Sequence, residues 1–131
     1  MKLLFALVCL LLAPCSSSAI EASQVECTAW THDQSQPDSA IRIFLKKSDF
    51  DPQYYHGEIG HYSFGADYSY LSNGGIGLIV FDNKSKRFSE STPGFRRIGN
   101  SKVRESDLKF YDRIPDGRTV VAGIQCGYST P

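Results

Sequence analysis

Residues 119–127 read TVVAGIQCG, a pattern typical of a strand with one apolar face. Threonine, valine and isoleucine favour extended backbone, and successive side chains of a strand point to opposite faces. Val120, Ala122 and Ile124 therefore share one face, which continues to Cys126. The stretch predicts a strand whose apolar inner face ends at a cysteine.

We expect Cys126 to form a disulfide with Cys27. The other two cysteines, Cys9 and Cys15, lie in an N-terminal segment that we expect to be removed. An even pair in an exported chain indicates a disulfide because extracytoplasmic compartments are oxidising. The first and last strands would then be neighbours. The alternative is a pair of free thiols or a partial metal site, although two cysteines without a nearby histidine make a poor zinc site.

The N-terminus has the three parts of a signal peptide. Lys2 supplies a basic start, residues 3–13 form an uncharged apolar run, and small residues end at Ala19. The apolar run is too short to span a bilayer. We therefore predict a signal peptide at residues 1–19 and a secreted or periplasmic domain at residues 20–131.

Two alternatives compete with cleavage after Ala19. One is a buried N-terminal helix, and the other is a lipid anchor at Cys15, which the preceding Pro14 disfavours. With cleavage, about 112 residues remain, which is the size of one domain. No second hydrophobic segment of spanning length follows in the sequence.

Short β-branched and aromatic runs recur between turn residues throughout the domain. They predict strands at 25–30, 41–46, 57–64, 66–71, 76–82, 87–91, 108–111 and 119–127. The polar residues 91–106 predict a long connection with one helical turn at 101–106. Regular spacing of this kind indicates an all-β fold, a single small antiparallel sandwich or meander barrel of about seven to eight strands.

Charge is distributed unevenly along the chain. Residues 20–82 hold nine acidic and three basic side chains, whereas residues 84–104 hold one acidic and seven basic side chains. If the basic residues fold together, they form a patch for an anionic partner. The alternative is that they pair with the acidic half or face water. The predicted patch is Lys84, Lys86, Arg87, Arg96, Arg97, Lys102 and Arg104.

A tyrosine-rich segment follows residue 53. Exposed tyrosines on strands can stack on sugar rings or anchor a protein partner, but cross-strand packing in a core uses the same residues. Tyr62, Tyr68 and Tyr70 fall at even positions, so we expect several of these side chains to share one face. The predicted contact surface is Tyr54, Tyr55, Tyr62, Tyr68 and Tyr70.

The histidines are the remaining candidates for chemistry. A histidine beside a carboxylate can act as an acid and base couple, and the pairs suggested by sequence are His32 with Asp33 and His61 with Glu58. His56 and His61 would project to opposite faces of an uninterrupted strand, which disfavours a metal site. We predict no metal and no cofactor.

These features favour a non-enzymatic exported binding module or inhibitor-like protein. Its partner would be a macromolecule, either a protein or an anionic glycan. The alternatives are a small secreted hydrolase using His61 or His56 with a carboxylate, and an envelope or structural protein that self-associates through a strand edge. Nucleic acid is disfavoured because the whole domain is not basic. Asn83 begins a glycosylation sequon that matters only in a eukaryotic host.

Overall fold

The computed structural model describes residues 20–92 and 94–130, so the predicted signal peptide lies outside the described residues. None of the helices in these residues is long and apolar enough to cross a membrane. The described residues include three short 3-10 helices, at Ala22–Gln24, Pro37–Ser39 and Tyr68–Asn73. The strands are β1 (Glu26–Asp33), β2 (Ile41–Phe44), β3 (Lys46–Lys47), β4 (Tyr54–Ile59), β5 (Tyr62–Asp67), β6 (Gly77–Asp82), β7 (Phe88–Ser91), β8 (Arg96–Arg97), β9 (Val103–Arg113) and β10 (Thr119–Ser129).

The strands form two antiparallel sheets packed as a sandwich. The first sheet has the order β2-β1-β10-β9-β8, and the second is a meander of consecutive strands, β3-β4-β5-β6-β7. The chain passes from the first sheet to the second at Leu45, between β2 and β3. The predicted all-β antiparallel fold is confirmed as a sandwich, with ten strands instead of seven to eight.

The disulfide joins the first strand to the last. Cys27 lies directly opposite Cys126 in the register of β1 and β10, with their Cα atoms 4.1 Å apart. The bond spans a sequence separation of 99 residues, and both side chains are buried. The predicted pairing of the first and last strands is therefore confirmed.

The core lies between the two sheets and follows the alternation of the strands. The first sheet supplies Ala29, Ala122 and Ile124, and the second supplies Phe64 and Val80. Each of these side chains is at most 2% exposed. The inner face predicted for β10 is therefore confirmed.

The tyrosine-rich segment is organised differently from the prediction. Residues 57–64 do not form one strand, because the chain turns at Gly60, whose φ of +58° suits glycine. The strand predicted at 66–71 is also wrong in its second half. The side chain of Asp67 accepts a hydrogen bond from the backbone N–H of Ser69 (2.9 Å) and starts the 3-10 helix Tyr68–Asn73 there.

The helical turn predicted at residues 101–106 is wrong as well. Residues 103–106 begin the long strand β9, where Ser106 lies opposite Cys126. The preceding residues form a short hairpin in which Arg97 pairs with Arg104 around a turn at Gly99. The sequence pattern did not predict these strands because their residues are polar. They lie at the margin of the sheet, where backbone hydrogen bonds form without apolar side chains.

Candidate functional site

The predicted tyrosine surface is divided between the core and the solvent. Tyr62 and Tyr68 are buried, at 4% and 5% exposure, and Tyr55 packs against Tyr68 with ring centroids 4.2 Å apart. Of the five predicted tyrosines, only Tyr54 and Tyr70 lie outside the core. The structure therefore does not bring the five tyrosines together on one surface.

The turn between β4 and β5 explains this division. Ile59 and Tyr62 lie opposite each other across the turn and both point inward. The inward positions are therefore odd-numbered on β4 and even-numbered on β5. Tyr54, at an even position of β4, therefore points outward, whereas Tyr62, at an even position of β5, points inward.

The outer face of the second sheet carries the candidate contact surface. Its side chains form three rows that run across the strands from β4 towards β7. Strand β6 is an internal strand, and its outward side chains Ile79 and Phe81 lie in the middle of the face, half-buried. The rows are Tyr54, Asp67 and Gly77; His56, Gly65, Ile79 and Glu90; and Glu58, Ser63, Phe81 and Phe88.

Aromatic rings extend across this outer face. Tyr54 lies over Gly65, where a β-carbon would overlap the tyrosine hydroxyl and ring. Phe81 and Phe88 are stacked with ring centroids 6.5 Å apart, and Phe88 is 56% exposed. Phe50, in the loop before β4, is almost fully exposed beside the same face. Gly65 thus lets Tyr54 join the phenylalanines in one continuous apolar band.

Two depressions are formed along this band. One, of about 610 Å³, lies beside Tyr54 and Tyr70, and carboxylates of Asp67 and Glu90 line it. The other, of about 460 Å³, lies beside Phe50 and Phe81 and includes acidic side chains from Asp49 and Glu58. The outer face therefore combines an apolar centre with an acidic margin.

The predicted basic patch is spread over the domain. Lys84, Lys86 and Arg87 lie around the turn between β6 and β7, where Arg87 contacts Asp112 near the end of β9. Arg104 lies near the start of β9. Eight residues of extended strand separate Arg104 from Asp112, a distance of about 27 Å.

Two of the predicted basic residues are also neutralised locally. Arg87 pairs with Asp112 at 2.8 Å, and Arg96 pairs with Asp107 at 2.5 Å. Arg97 and Lys102 lie with Arg104 around the β8–β9 hairpin. The structure thus forms two separated groups of basic residues in place of one patch.

A cluster of buried carboxylates closes one end of the sandwich. Asp112, 7% exposed, accepts hydrogen bonds from the hydroxyl of Tyr62 (2.6 Å) and from Arg87 (2.8 Å). Asp82, 2% exposed, accepts from the ring of His61 (2.7 Å) and the hydroxyl of Ser85 (2.6 Å). Burial and the hydrogen bond to Asp112 both raise the pKa of Tyr62. This cluster ties the β4–β5 and β6–β7 turns to the first sheet.

The environment of Asp82 predicts an acid-sensitive contribution to stability. Burial by itself would raise the pKa of this carboxyl, but hydrogen bonds from Ser85, His61 and backbone amides outweigh it and lower the pKa to about 2. A group with a lowered pKa in the folded state stabilises the fold above its unfolded pKa of 3.8. That contribution, about 2 kcal/mol, is lost as the pH falls from 4 to 2.

We therefore expect Asp82→Asn to be destabilised by about 2 kcal/mol at pH 5 and by much less at pH 2. Urea unfolding of both proteins across this pH range measures the difference. Glu58→Gln, a change at an exposed carboxylate, is the matched control and should show no such trend. A constant difference for Asp82→Asn between pH 5 and pH 2 would contradict the assignment.

The histidines do not form a shared acid and base site. His32 lies on the outer face of the first sheet, His56 on that of the second, and His61 in the β4–β5 turn. His61 pairs with Asp82 and not with Glu58. His61 lines none of the depressions described above. Among the described residues, no group of three or more potential ligands is arranged to hold a metal ion.

No protein-family model, curated protein or solved structure matches this chain. Its function is therefore inferred from the side chains of the site alone.

The side chain of Asn83, the first residue of the sequon, is engaged in the fold. Its amide donates to the backbone carbonyl of His61 (3.0 Å) and to the hydroxyl of Ser63 (2.7 Å). The sequon hydroxyl of Ser85 is bound to Asp82. Glycosylation of Asn83 stays a prediction.

Several residues of the outer face were not predicted from the sequence. Phe50, Ile79, Phe81 and Phe88 were absent from the candidate surface. The sequence does carry a signal for Ile79 and Phe81, because residues 76–82 place apolar side chains on both faces of one strand. That pattern is typical of an internal strand, and it does not reveal that one of its faces meets solvent.

Proposed function

We propose that this chain is an exported, non-enzymatic recognition module that binds a protein partner through the outer face of the second sheet. The observation that carries the proposal is the continuous band of Tyr54, Ile79, Phe81, Phe88 and the neighbouring Phe50. Large exposed apolar patches on folded domains mark interaction sites. Aromatic side chains are also enriched among the residues that contribute most to binding free energy.

The margin of the face favours a protein over an anionic glycan. Asp49, Glu58, Asp67 and Glu90 border the two depressions, and among the described residues no lysine or arginine lines either of them. A negative margin repels sulfated or uronic sugars and attracts a surface that carries lysine or arginine. The predicted basic residues, which would have attracted a glycan, are divided into two groups, with Arg87 at the Asp112 end of β9 and Arg104 near the start of that strand.

The disulfide supports export as part of this proposal. Disulfides persist in oxidising compartments and are rare in the cytosol. The bond between Cys27 and Cys126 is buried within the core, and the sequence before residue 20 has the composition of a signal peptide.

The competing functions have weaker support. A hydrolase would need a nucleophile bonded to the base, beside a depression. The hydroxyl of Ser85 bonds to Asp82 and not to the ring of His61 among the described contacts, and His61 lines neither depression. Self-assembly through sheet edges is disfavoured because the strands that end the sheets, β2, β3, β7 and β8, have two to four residues each. The part of β9 that β8 leaves uncovered carries charged side chains at Asp107, Lys109 and Arg113.

The proposal predicts where selected ligands will bind. Peptides selected from a random display library against the oxidised protein should bind the outer face of the second sheet. We expect Phe88→Lys to weaken the binding of these peptides at least tenfold, because it places a hydrated charge inside the apolar band. Affinity is measured by fluorescence anisotropy with labelled peptides.

Tyr111→Lys is the matched control. Tyr111 is also 56% exposed, but it lies on the outer face of the first sheet. Equal loss in both variants, or in neither, would overturn the proposed binding face. Tight retention of the wild-type protein on immobilised heparin, lost steeply as salt is raised, would assign the anionic glycan instead.

A further inference from the structure

The depression beside Tyr54 and Tyr70 combines two kinds of group that recognise cations. Tyr54 and Tyr70 supply aromatic rings, and Asp67 and Glu90 supply carboxylates. Among the residues that the structure describes, no lysine, arginine or histidine lines it. Neither Asp67 nor Glu90 is in an ion pair with any described residue. The depression thus holds negative charge that the described part of the fold leaves uncompensated.

Gly77 brings the aromatic and acidic groups to the same place. A β-carbon built at Gly77 would lie 3.2 Å from a ring carbon of Tyr70 and 3.3 Å from the Cβ atom of Asp67. The side chains of Tyr70 and Asp67 therefore both lie beside the backbone of Gly77, which has no side chain of its own. The next row adds Ile79 and Glu90, which lie opposite each other on β6 and β7. The lining of one depression thus includes two tyrosines and two acidic residues around Gly77 and Ile79.

Asp67 is held in position by the fold. One of its oxygens accepts the backbone N–H of Ser69 at 2.9 Å, which fixes the side chain at the start of the 3-10 helix. Burial, and then the negative charge of Asp67, raise the pKa of Tyr54. The Asp67 carboxylate is thus close enough to Tyr54 to disfavour ionisation of the tyrosine hydroxyl, and both residues line the same depression.

We propose that this depression binds an arginine side chain of the protein partner, an inference that rests on the proposed function. A guanidinium group is planar, stacks on aromatic rings and donates paired hydrogen bonds to carboxylates. Lysine presents a compact, strongly hydrated charge that stacks less well. With rings from two tyrosines beside two carboxylates, the depression matches arginine better than any neutral side chain.

The direct probe is a pair of tripeptides, acetyl-Gly-Arg-Gly-amide and the same peptide with citrulline, whose neutral urea group keeps the planar shape. Each is titrated into the full-length, oxidised, 15N-labelled protein. We expect the arginine peptide to shift the backbone amide signals of Asp67, Gly77 and Glu90 in a saturable way. The citrulline peptide should bind at least tenfold more weakly.

Variants separate this site from general attraction to an acidic surface. Asp67→Asn combined with Glu90→Gln keeps the shape and the acceptor for Ser69, and should weaken the arginine peptide at least tenfold. Glu58→Gln removes one charge from the same face at the other depression and should leave affinity within about twofold. Tyr70→Leu tests the ring with both carboxylates intact, and we expect a loss of about threefold.

The outcomes distinguish this inference from the function it rests on. Equal binding of the arginine and citrulline peptides, or equal loss with Glu58→Gln, would overturn the arginine site. If selected peptides are sensitive to Phe88→Lys but not to Asp67→Asn with Glu90→Gln, the face binds a partner without this site. If they are insensitive to Phe88→Lys, the proposed function itself fails.

Discussion

Loss of the Cys27–Cys126 disulfide is expected to lower the free energy of unfolding by about 4 to 5 kcal/mol. The bond closes a loop of 99 residues, and in the loop-entropy treatment its main effect is to restrict the unfolded chain. Small domains have a total stability of only about 5 to 15 kcal/mol, so the loss removes a large fraction of it. Urea unfolding of the oxidised and the reduced protein measures the difference.

A variant complements reduction. Cys27→Ala with Cys126→Ala lacks the bond permanently, but Cys126 is fully buried, so this variant also loses packing in the core. We therefore expect the double variant to be less stable than the reduced wild type. A loss below about 1 kcal/mol on reduction would contradict the role assigned to the bond.

Phe64→Ala is expected to lower the free energy of unfolding by about 3 to 5 kcal/mol. Phe64 is 2% exposed and points from β5 into the core between the sheets. Its truncation removes apolar contacts and leaves a cavity that close-packed neighbours fill only in part. The measurement is urea unfolding of the oxidised protein at neutral pH.

Phe88→Ala is the same chemical change at a position 56% exposed. On this surface strand we expect a loss below about 1 kcal/mol. The contrast between the two variants tests which face of the second sheet is buried. Similar losses at both positions would mean that the outer face is covered in the folded protein, and would remove the basis of the proposed binding surface.

The sequence was sufficient to predict the features that depend on simple alternation. The last strand carries small and branched apolar residues at every second position up to Cys126, and that face is buried as expected. The disulfide followed from counting the cysteines that remain after the N-terminal segment. From the disulfide came the pairing of β1 with β10, which is a long-range feature of the topology.

Alternation gave a wrong prediction of the inward-pointing side chains where the chain turns without a strong turn signal. Gly60 and His61 reverse the chain between β4 and β5, and this reversal changes which positions point inward. Tyr62 was therefore grouped with Tyr54, although the two side chains lie on opposite faces. Whether a tyrosine is in the core or at the surface depends on the sheet packed against it, which local sequence does not specify.

Clustering in sequence also failed to predict clustering in space for the charges. Strand β9 is eleven residues long, so basic residues near its two ends lie far apart even though all seven fall within residues 84–104. Carboxylates that come later in the sequence, at Asp107 and Asp112, pair with Arg96 and Arg87. Such partners are visible only once the strands are aligned.

The neighbouring positions of β1 and β10 also determine the order in which this domain can be completed. The second sheet is built from consecutive hairpins and needs only local contacts, whereas in the first sheet β1 is paired with β2 on one edge and lacks its other partner until β10 is available. Pairing across so many residues is slow because the chain must first close a long loop. During synthesis, one edge of β1 therefore stays without its hydrogen-bonded neighbour until nearly the whole domain has been made. Because we propose that this chain is exported, the last strand pairing and the Cys27–Cys126 bond would be completed together in an oxidising compartment.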